Sequence, residues 1–400
     1  MRHITVVDAR MGRGKSTAAI RYMNEKKDDR RFLYITPYLS EVARVCDDCG
    51  FIEPVSEEAS KSAILKQLLA ARKNIASTHA LFALMDDEAL ELARAGGYSL
   101  IIDESPEVLS HIPASKRDTE LMLANLIDVG EDMRVTWREP GYEGKFSGYK
   151  DAADEGALLY VGGAFYEVMS PKMFLPFRDV FLLTYLFDGQ LVRAYFDFFG
   201  FEYNIIGIET DEDGFRFSNR PDDPPNVDYT DLIRIVDDER MNAIGNGRTA
   251  LSVSWYRRYG GNSEDIRILR NNLRNFFDRM TGGTATRRLW TVYKDYIDWM
   301  LGPRRRYYTS YLALNARATN AHREAENVAY LVNRFVDPNI AKFFSSKDIK
   351  VDSEQFALSE MLQFIWRSAI RDDKPINLYI PSRRMRDLLT GWMKTVNGGE

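Results

Sequence analysis

The stretch "DARMGRGKST", residues 8–17, sets Gly12, Arg13, Gly14, Lys15, Ser16 and Thr17 directly behind a short apolar run, "HITVV". These residue types at this spacing suit the binding of phosphate. Gly12 and Gly14 allow a tight turn whose amides point inward, so that the loop and the start of the following helix can hold phosphate oxygens. Lys15 adds a mobile point charge, and the Ser16 hydroxyl can enter the shell of a Mg²⁺ ion. The pattern is G-x-x-x-x-G-K-[ST], with Ala9 where the first glycine is expected. A second cluster follows in "YSLIIDESPEVL", residues 98–109, where an apolar run ends in the adjacent carboxylates Asp103 and Glu104. Behind a phosphate loop, such a pair divides its work: Asp103 holds the metal ion and Glu104 polarises the attacking water. All six residues from Gly12 to Thr17 are therefore assigned to a nucleotide, which implies ATP with Mg²⁺ as cofactors.

The elements that must position these residues alternate. "ITVVDA" reads as a buried strand and "GKSTAAIRYMNEKK" as a helix with one apolar face. "RFLYITPYLSEVARV" (31–45) and "KNIASTHALFALM" (73–85) repeat the order of strand, polar turn and helix. Such alternation predicts an α/β fold with a parallel sheet, whose functional loops gather at the carboxyl ends of the strands. Thr36, Pro37, Ser77, Thr78 and His79 then share a rim with the phosphate loop, although Ser and Thr at such positions also cap helices. Residues 110–178 read as an insertion, in which "LLYVGGAFYEVM" has the alternation of a β-hairpin turning at Gly162 and Gly163. "VFLLTYLFDGQ" (180–190) restores a buried strand that ends in Thr184 and Tyr185.

The chain has 400 residues, 45% of them hydrophobic and 28% charged, enough for two or three domains with real cores. No apolar run approaches the roughly 18 to 20 residues of a membrane span, and the N-terminus lacks the apolar core of a signal peptide. A cytoplasmic protein with no membrane partner is expected. Cys46 and Cys49 form one "CDDC" with no second pair, too few ligands for a structural zinc site. The net charge of −5 argues against coating nucleic acid by charge alone. Yet residues 250–350 hold 18 Lys or Arg against 9 Asp or Glu, while residues 1–205 are acidic by 8, which suits a polyanion bound on one surface. In "SWYRRYGG" (254–261) and "PRRRYYTSY" (303–311), arginines could hold a phosphate backbone and aromatic rings could stack on unpaired bases, or the stretches could form an amphipathic edge of the fold.

The order of a Walker A loop, a "TP" turn, a "DE" strand (the Walker B position) and a strand ending in a hydroxyl resembles the first domain of superfamily 2 helicases, the DEAD/DEAH-like group. "TPYLSEV", "STHALF", "LLTYLFDGQ", "NARATN" and "MLQFIWRSAIRDDKPINLYIPSRRMR" are more closely similar to a helicase-like protein encoded by tailed bacteriophages. The resemblance spans almost the whole chain. It implies two RecA-like P-loop NTPase domains with parallel sheets, residues 1–205 and 206–400, the boundary lying just before the Pro/Asp-rich "NRPDDPPNVD" (219–228). It also implies an ATP-dependent helicase or translocase acting in phage DNA replication or recombination, with nucleic acid as partner, DNA favoured over RNA, and a loader or replication protein beside it. On this reading Thr36, Pro37, Thr78, His79 and Thr184 contact nucleic acid or couple it to the nucleotide. "YYTSYLALNARATN" (307–320) adds Arg317, Thr319 and Asn320 to that set. "QFIWRSAIR" spaces Gln363, Arg367 and Arg371 by four, so that one helix is expected to carry them along one side. It resembles the family's Q-x-x-G-R-x-x-R, whose arginines reach the γ-phosphate, but Trp366 replaces the glycine and the last arginine comes one residue late. Both Arg367 and Arg371 therefore stand as candidates for the arginine finger. The alternative reading is a P-loop ATPase of a packaging or assembly machine, driven by a protein partner.

Overall fold

Runs of four to six apolar or β-branched residues, too short for helices and bounded by polar turns, form strands buried on both faces, the environment of a parallel sheet. The strand Tyr98–Asp103 is buried at every residue, and Arg31–Thr36 at all but its first. In the computed structural model, which describes residues 3–55, 59–220, 228–314 and 322–398, these runs build two α/β units.

The first unit comprises Met1–Val7, Ser16–Ile206 and Asp337–Val351. Its sheet has the order Glu202–Asp211, His3–Asp8, Val180–Thr184, Tyr98–Asp103, Arg31–Thr36, Ile75–Thr78. Arg31–Thr36 lies parallel to Ile75–Thr78 on one side and to Tyr98–Asp103 on the other, with Leu33 opposite Ile75 and Ile35 opposite Ile102. Val180–Thr184 is parallel to Tyr98–Asp103 in turn. Parallel pairing brings the carboxyl ends Thr36, Thr78, Asp103 and Thr184 to one rim.

The insertion between Asp103 and Val180 has its own small core, built on Met122, Ile127, Val135, Trp137, Phe146, Leu158 and Phe165. The expected hairpin pairs Leu158–Val161 with Ala164–Val168, and Gly162 and Gly163 turn it at φ 58° and 89°. A third strand, Leu109–Ile112, adds antiparallel to its far side. The helix Pro338–Ser345, although late in the chain, packs in this unit: Phe343 and Phe344 meet Phe198, and the Asn339 amide donates to the Tyr166 hydroxyl at 3.3 Å.

The second unit comprises Asp8–Lys15, Gly207–Val336 and Asp352–Glu400. Its parallel sheet has the order Ile233–Ile235, Ile376–Tyr379, Asn327–Tyr330, Arg288–Thr291. Trp255, Tyr256, Leu269, Phe276, Phe277, Trp290 and Tyr379 are among the residues that fill its core. Within this unit the end of Glu202–Asp211 folds back antiparallel onto Gly214–Ser218.

Candidate nucleotide site

Gly12 and Gly14 adopt φ +77° and +75°, the left-handed region in which a side chain is strained. Space adds a second constraint at Gly14, where a Cβ would stand 2.3 Å from Cδ2 of Phe215. Ala9 does not share this conformation, so a methyl group is tolerated where the motif has its first glycine. The amide of Arg13 closes the turn on the Arg10 carbonyl at 3.2 Å, and the helix Lys15–Lys26 begins at once. Lys15 folds over its own loop, its Nζ donating to the carbonyls of Ala9 at 2.5 Å and Arg10 at 3.0 Å. Two residues on, Thr17 Oγ1 accepts a hydrogen bond from Arg44 at 2.9 Å.

On the sheet rim the three consecutive residues after Ile102 each meet a different partner. Asp103 is 6% exposed, and its Oδ2 accepts from Ser16 Oγ at 3.0 Å and from the Tyr34 hydroxyl at 2.7 Å. Burial, and secondarily the charge of Asp103, pushes the Tyr34 phenol well above its ordinary pKa, so it stays protonated and donates. Glu104 turns the backbone left-handed at φ 64°, its amide held by the Leu183 carbonyl at 3.1 Å and its Oε1 accepting from the Tyr38 hydroxyl at 2.6 Å. The Ser105 hydroxyl lies 3.1 Å from Thr184 Oγ1, and both hydroxyls donate to Oε1 of Gln190, whose amide nitrogen holds the Tyr185 carbonyl at 2.9 Å. Tyr34, Tyr38, Ser105 and Gln190 are absent from the sequence-based set. Ser105 was visible as the neighbour of the carboxylate pair; the tyrosines carried no signal beyond their place around "ITP".

The other expected residues divide. Thr36 is fully buried and accepts the Tyr38 amide at 3.3 Å, with Pro37 between them; Thr78 caps the short helix His79–Phe82 through the Leu81 amide at 3.3 Å, and His79 is buried. Arg317, Thr319 and Asn320 lie outside the described residues. Gln363, Arg367 and Arg371 do not share one helix. The helix Ser353–Ile365 carries Gln363 and stops at Trp366; Arg367 follows the cap, and Arg371 sits in the 3-10 turn Ala369–Asp372. The cause is local packing. Trp366 is buried against Tyr229 and Trp392, Ser368 turns to extended backbone, and its hydroxyl takes the Ile365 carbonyl that another helical turn would use. Arg367 keeps a buried Nη1 with no hydrogen-bond partner among the described residues, and its charge, after burial, lowers the pKa of His322. In the same unit a Cβ on Gly12 would stand 4.0 Å from the Arg371 carbonyl.

The basic and aromatic stretches are resolved by burial. Trp255 and Tyr256 belong to the core of the second unit, leaving Arg257 and Arg258 exposed, whereas Tyr308 is 56% exposed with the Arg305 guanidinium 4.8 Å from its ring. Cys46 and Cys49 are free thiols, and burial pushes Cys49 up to about 11. Among the described residues no group of three or more His, Cys, Asp or Glu could hold a metal ion. No helix among them is long and apolar enough to cross a membrane.

The SPbeta prophage-derived protein YonV of Bacillus subtilis (strain 168) is 34% identical to this chain over 413 residues, covering 98% of this chain and 99% of its own length. The chain belongs to the YonV family. A family model described as the YonV C-terminal Rossmann-like domain matches residues 227–393. Among solved structures, an XPD helicase superposes with a TM-score of 0.52 at 10% identity, covering 100% of this chain and 95% of that one. The fold is thus similar to that of the XPD helicase, with two α/β domains built on parallel sheets, in a family with a prophage member. YonV-family membership and the helicase-like fold thus agree with the resemblance read from the phosphate loop, the "DE" strand and the phage-like segments.

Proposed function

We propose that this protein is an ATP hydrolase driven by nucleic acid, a helicase or translocase working on phage DNA. The observation that carries the reading is the hydrogen bond between Ser16 and Asp103, residues 87 apart in the chain, at 3.0 Å. The two side chains that a Mg²⁺ ion requires of such a site are already adjacent, and the loop that precedes Ser16 in the chain has two left-handed glycines. The residues present fit the group. ATP with Mg²⁺ would supply a transferable phosphoryl group with its charge partly neutralised. The amides of residues 12–17 and Lys15 would hold its phosphates, Ser16 and Asp103 its metal ion. Glu104 Oε1 would take the proton of the attacking water. Arg367 or Arg371 would place a guanidinium against the charge that develops on the phosphoryl, which ties hydrolysis to movement of the second domain. Thr36, Pro37, Thr78, His79, Thr184, Arg317, Thr319 and Asn320 would face the strand or transmit its presence. A loader or replication protein would bring the enzyme to its track.

The test is steady-state ATP hydrolysis by wild type and Lys15→Ala with no polymer, single-stranded DNA, duplex DNA and RNA. The expected result is hydrolysis that needs Lys15, falls at least about a hundredfold without it, and rises several-fold with single-stranded DNA. Lys15-dependent hydrolysis indifferent to every polymer would favour the protein-driven machine. No Lys15-dependent hydrolysis would overturn the ATPase reading.

A further inference from the structure

Glu104 is the group read as the proton acceptor, yet its Oε1 is already the acceptor of a 2.6 Å bond from the Tyr38 hydroxyl. A donor at that distance from a carboxylate forms a strong, charge-assisted bond. The phenol therefore fills one acceptor position on the oxygen that the proposed mechanism turns toward the attacking water, and fixes how that carboxylate is oriented.

The location of Tyr38 indicates what would release it. Tyr38 is the first residue after Pro37 and stands at the N-cap of the helix Leu39–Cys49. Its amide donates to Thr36 Oγ1 at 3.3 Å, and its carbonyl accepts from Glu41 at 3.0 Å and Val42 at 2.9 Å. The residue is thereby fixed to the Thr36–Pro37 turn, and the proline ring stiffens the link. A displacement of that turn is passed to the phenol, which a shift of about 1 Å takes out of hydrogen-bond range. Glu104 cannot follow freely, because its left-handed backbone is tied to the neighbouring strand through the Leu183 carbonyl at 3.1 Å.

We propose that Tyr38 is a brake on Glu104, released when an unpaired nucleic-acid strand engages the Thr36–Pro37 turn. The inference rests on the reading of Glu104 as the base and of this turn as a strand contact. It goes beyond that reading by naming the bond that makes hydrolysis depend on the strand. Tyr38 is thus a positioning residue. It acts through Glu104 and touches no reacting atom.

Thermodynamic reciprocity gives a readout that needs no nucleotide. If strand binding breaks the Tyr38–Glu104 bond, removing the bond beforehand must strengthen strand binding. Fluorescence anisotropy of a labelled oligo-dT should show Tyr38→Phe binding about two- to tenfold more tightly than wild type. Glu104→Ala, which removes the other partner, should tighten binding similarly, and the double variant no further. In hydrolysis assays Tyr38→Phe should raise the polymer-free rate several-fold and leave the rate at saturating single-stranded DNA within about twofold of wild type. Equal thermal midpoints for wild type and Tyr38→Phe establish that the comparison is between folded proteins, and Glu104→Ala tests the same bond independently. Unchanged affinity in both single variants, or a Tyr38→Phe that slows both rates equally, overturns the brake while leaving the ATPase reading intact. A wild type that neither binds oligo-dT nor hydrolyses ATP overturns the proposed function first, and the brake with it.

Discussion

The two sheets end their strands differently. At the rim of the first, polar side chains bond to other side chains: Asp103 with Ser16 and Tyr34, Glu104 with Tyr38, and Ser105 and Thr184 with Gln190. In the second, the chain beyond Asn327–Tyr330 reaches Asn333, which is fully buried and spends its amide on the carbonyls of Arg248 and Ala250, each at 2.9 Å. Its Oδ1 accepts from Arg384, which also holds the carbonyls of Arg334 and Ser353 at 2.7 and 3.0 Å. Polar groups that satisfy backbone carbonyls hold loops in place, whereas carboxylates bonded by hydroxyls can exchange those donors for a cation or a water. One α/β architecture thus carries two kinds of polar network, and the residues at the strand ends decide which.

This contrast can be broken most forcefully at the arginines. Replacing Arg367 and Arg371 singly by alanine should divide them, with one losing on the order of a thousandfold in polymer-stimulated hydrolysis and the other little. Equal, small losses would leave neither arginine a part in the chemistry. Glu104→Gln should lower kcat by roughly a hundred- to ten-thousandfold while unfolding near wild type in denaturant, since the amide keeps an acceptor for Tyr38. The opposite signature is expected at the second rim. Asn333→Ala leaves two buried carbonyls and an arginine short of a partner, and should cost about 2 to 3 kcal/mol in urea unfolding with kcat per folded molecule unchanged. An Asn333 variant that folds normally but fails to hydrolyse would erase the distinction between the two rims.

Much of the candidate site was legible before folding. The phosphate loop is contiguous, and its requirements are local: two glycines free to turn left-handed, a lysine, a hydroxyl and a helix start. The "DE" pair was legible because an apolar run of strand length ended at it. Tyr34 and Tyr38 were not, because their partners stand 69 and 66 residues away and the chain carries many tyrosines. The end of the helix at Ile365 was hidden for a related reason. The spacing of Gln363, Arg367 and Arg371 permits a continuous helix, but burial of Trp366 between Tyr229 and Trp392 favours stopping. Tertiary packing overrode a local preference worth only tenths of a kcal/mol per residue.

The sequence by itself determined the alternation of strand and helix, the left-handed turns at Gly12 and Gly14, and the hairpin at Gly162 and Gly163, because each depends on residues adjacent in the chain. Only the tertiary structure decided that Ser16 meets Asp103, that Tyr38 holds Glu104, that Trp255 and Tyr256 are core while Tyr308 is exposed, and that the helix Pro338–Ser345 packs with the first unit. Those outcomes depend on strand order and parallel register, which bring distant strand ends to one rim and have no counterpart in local composition.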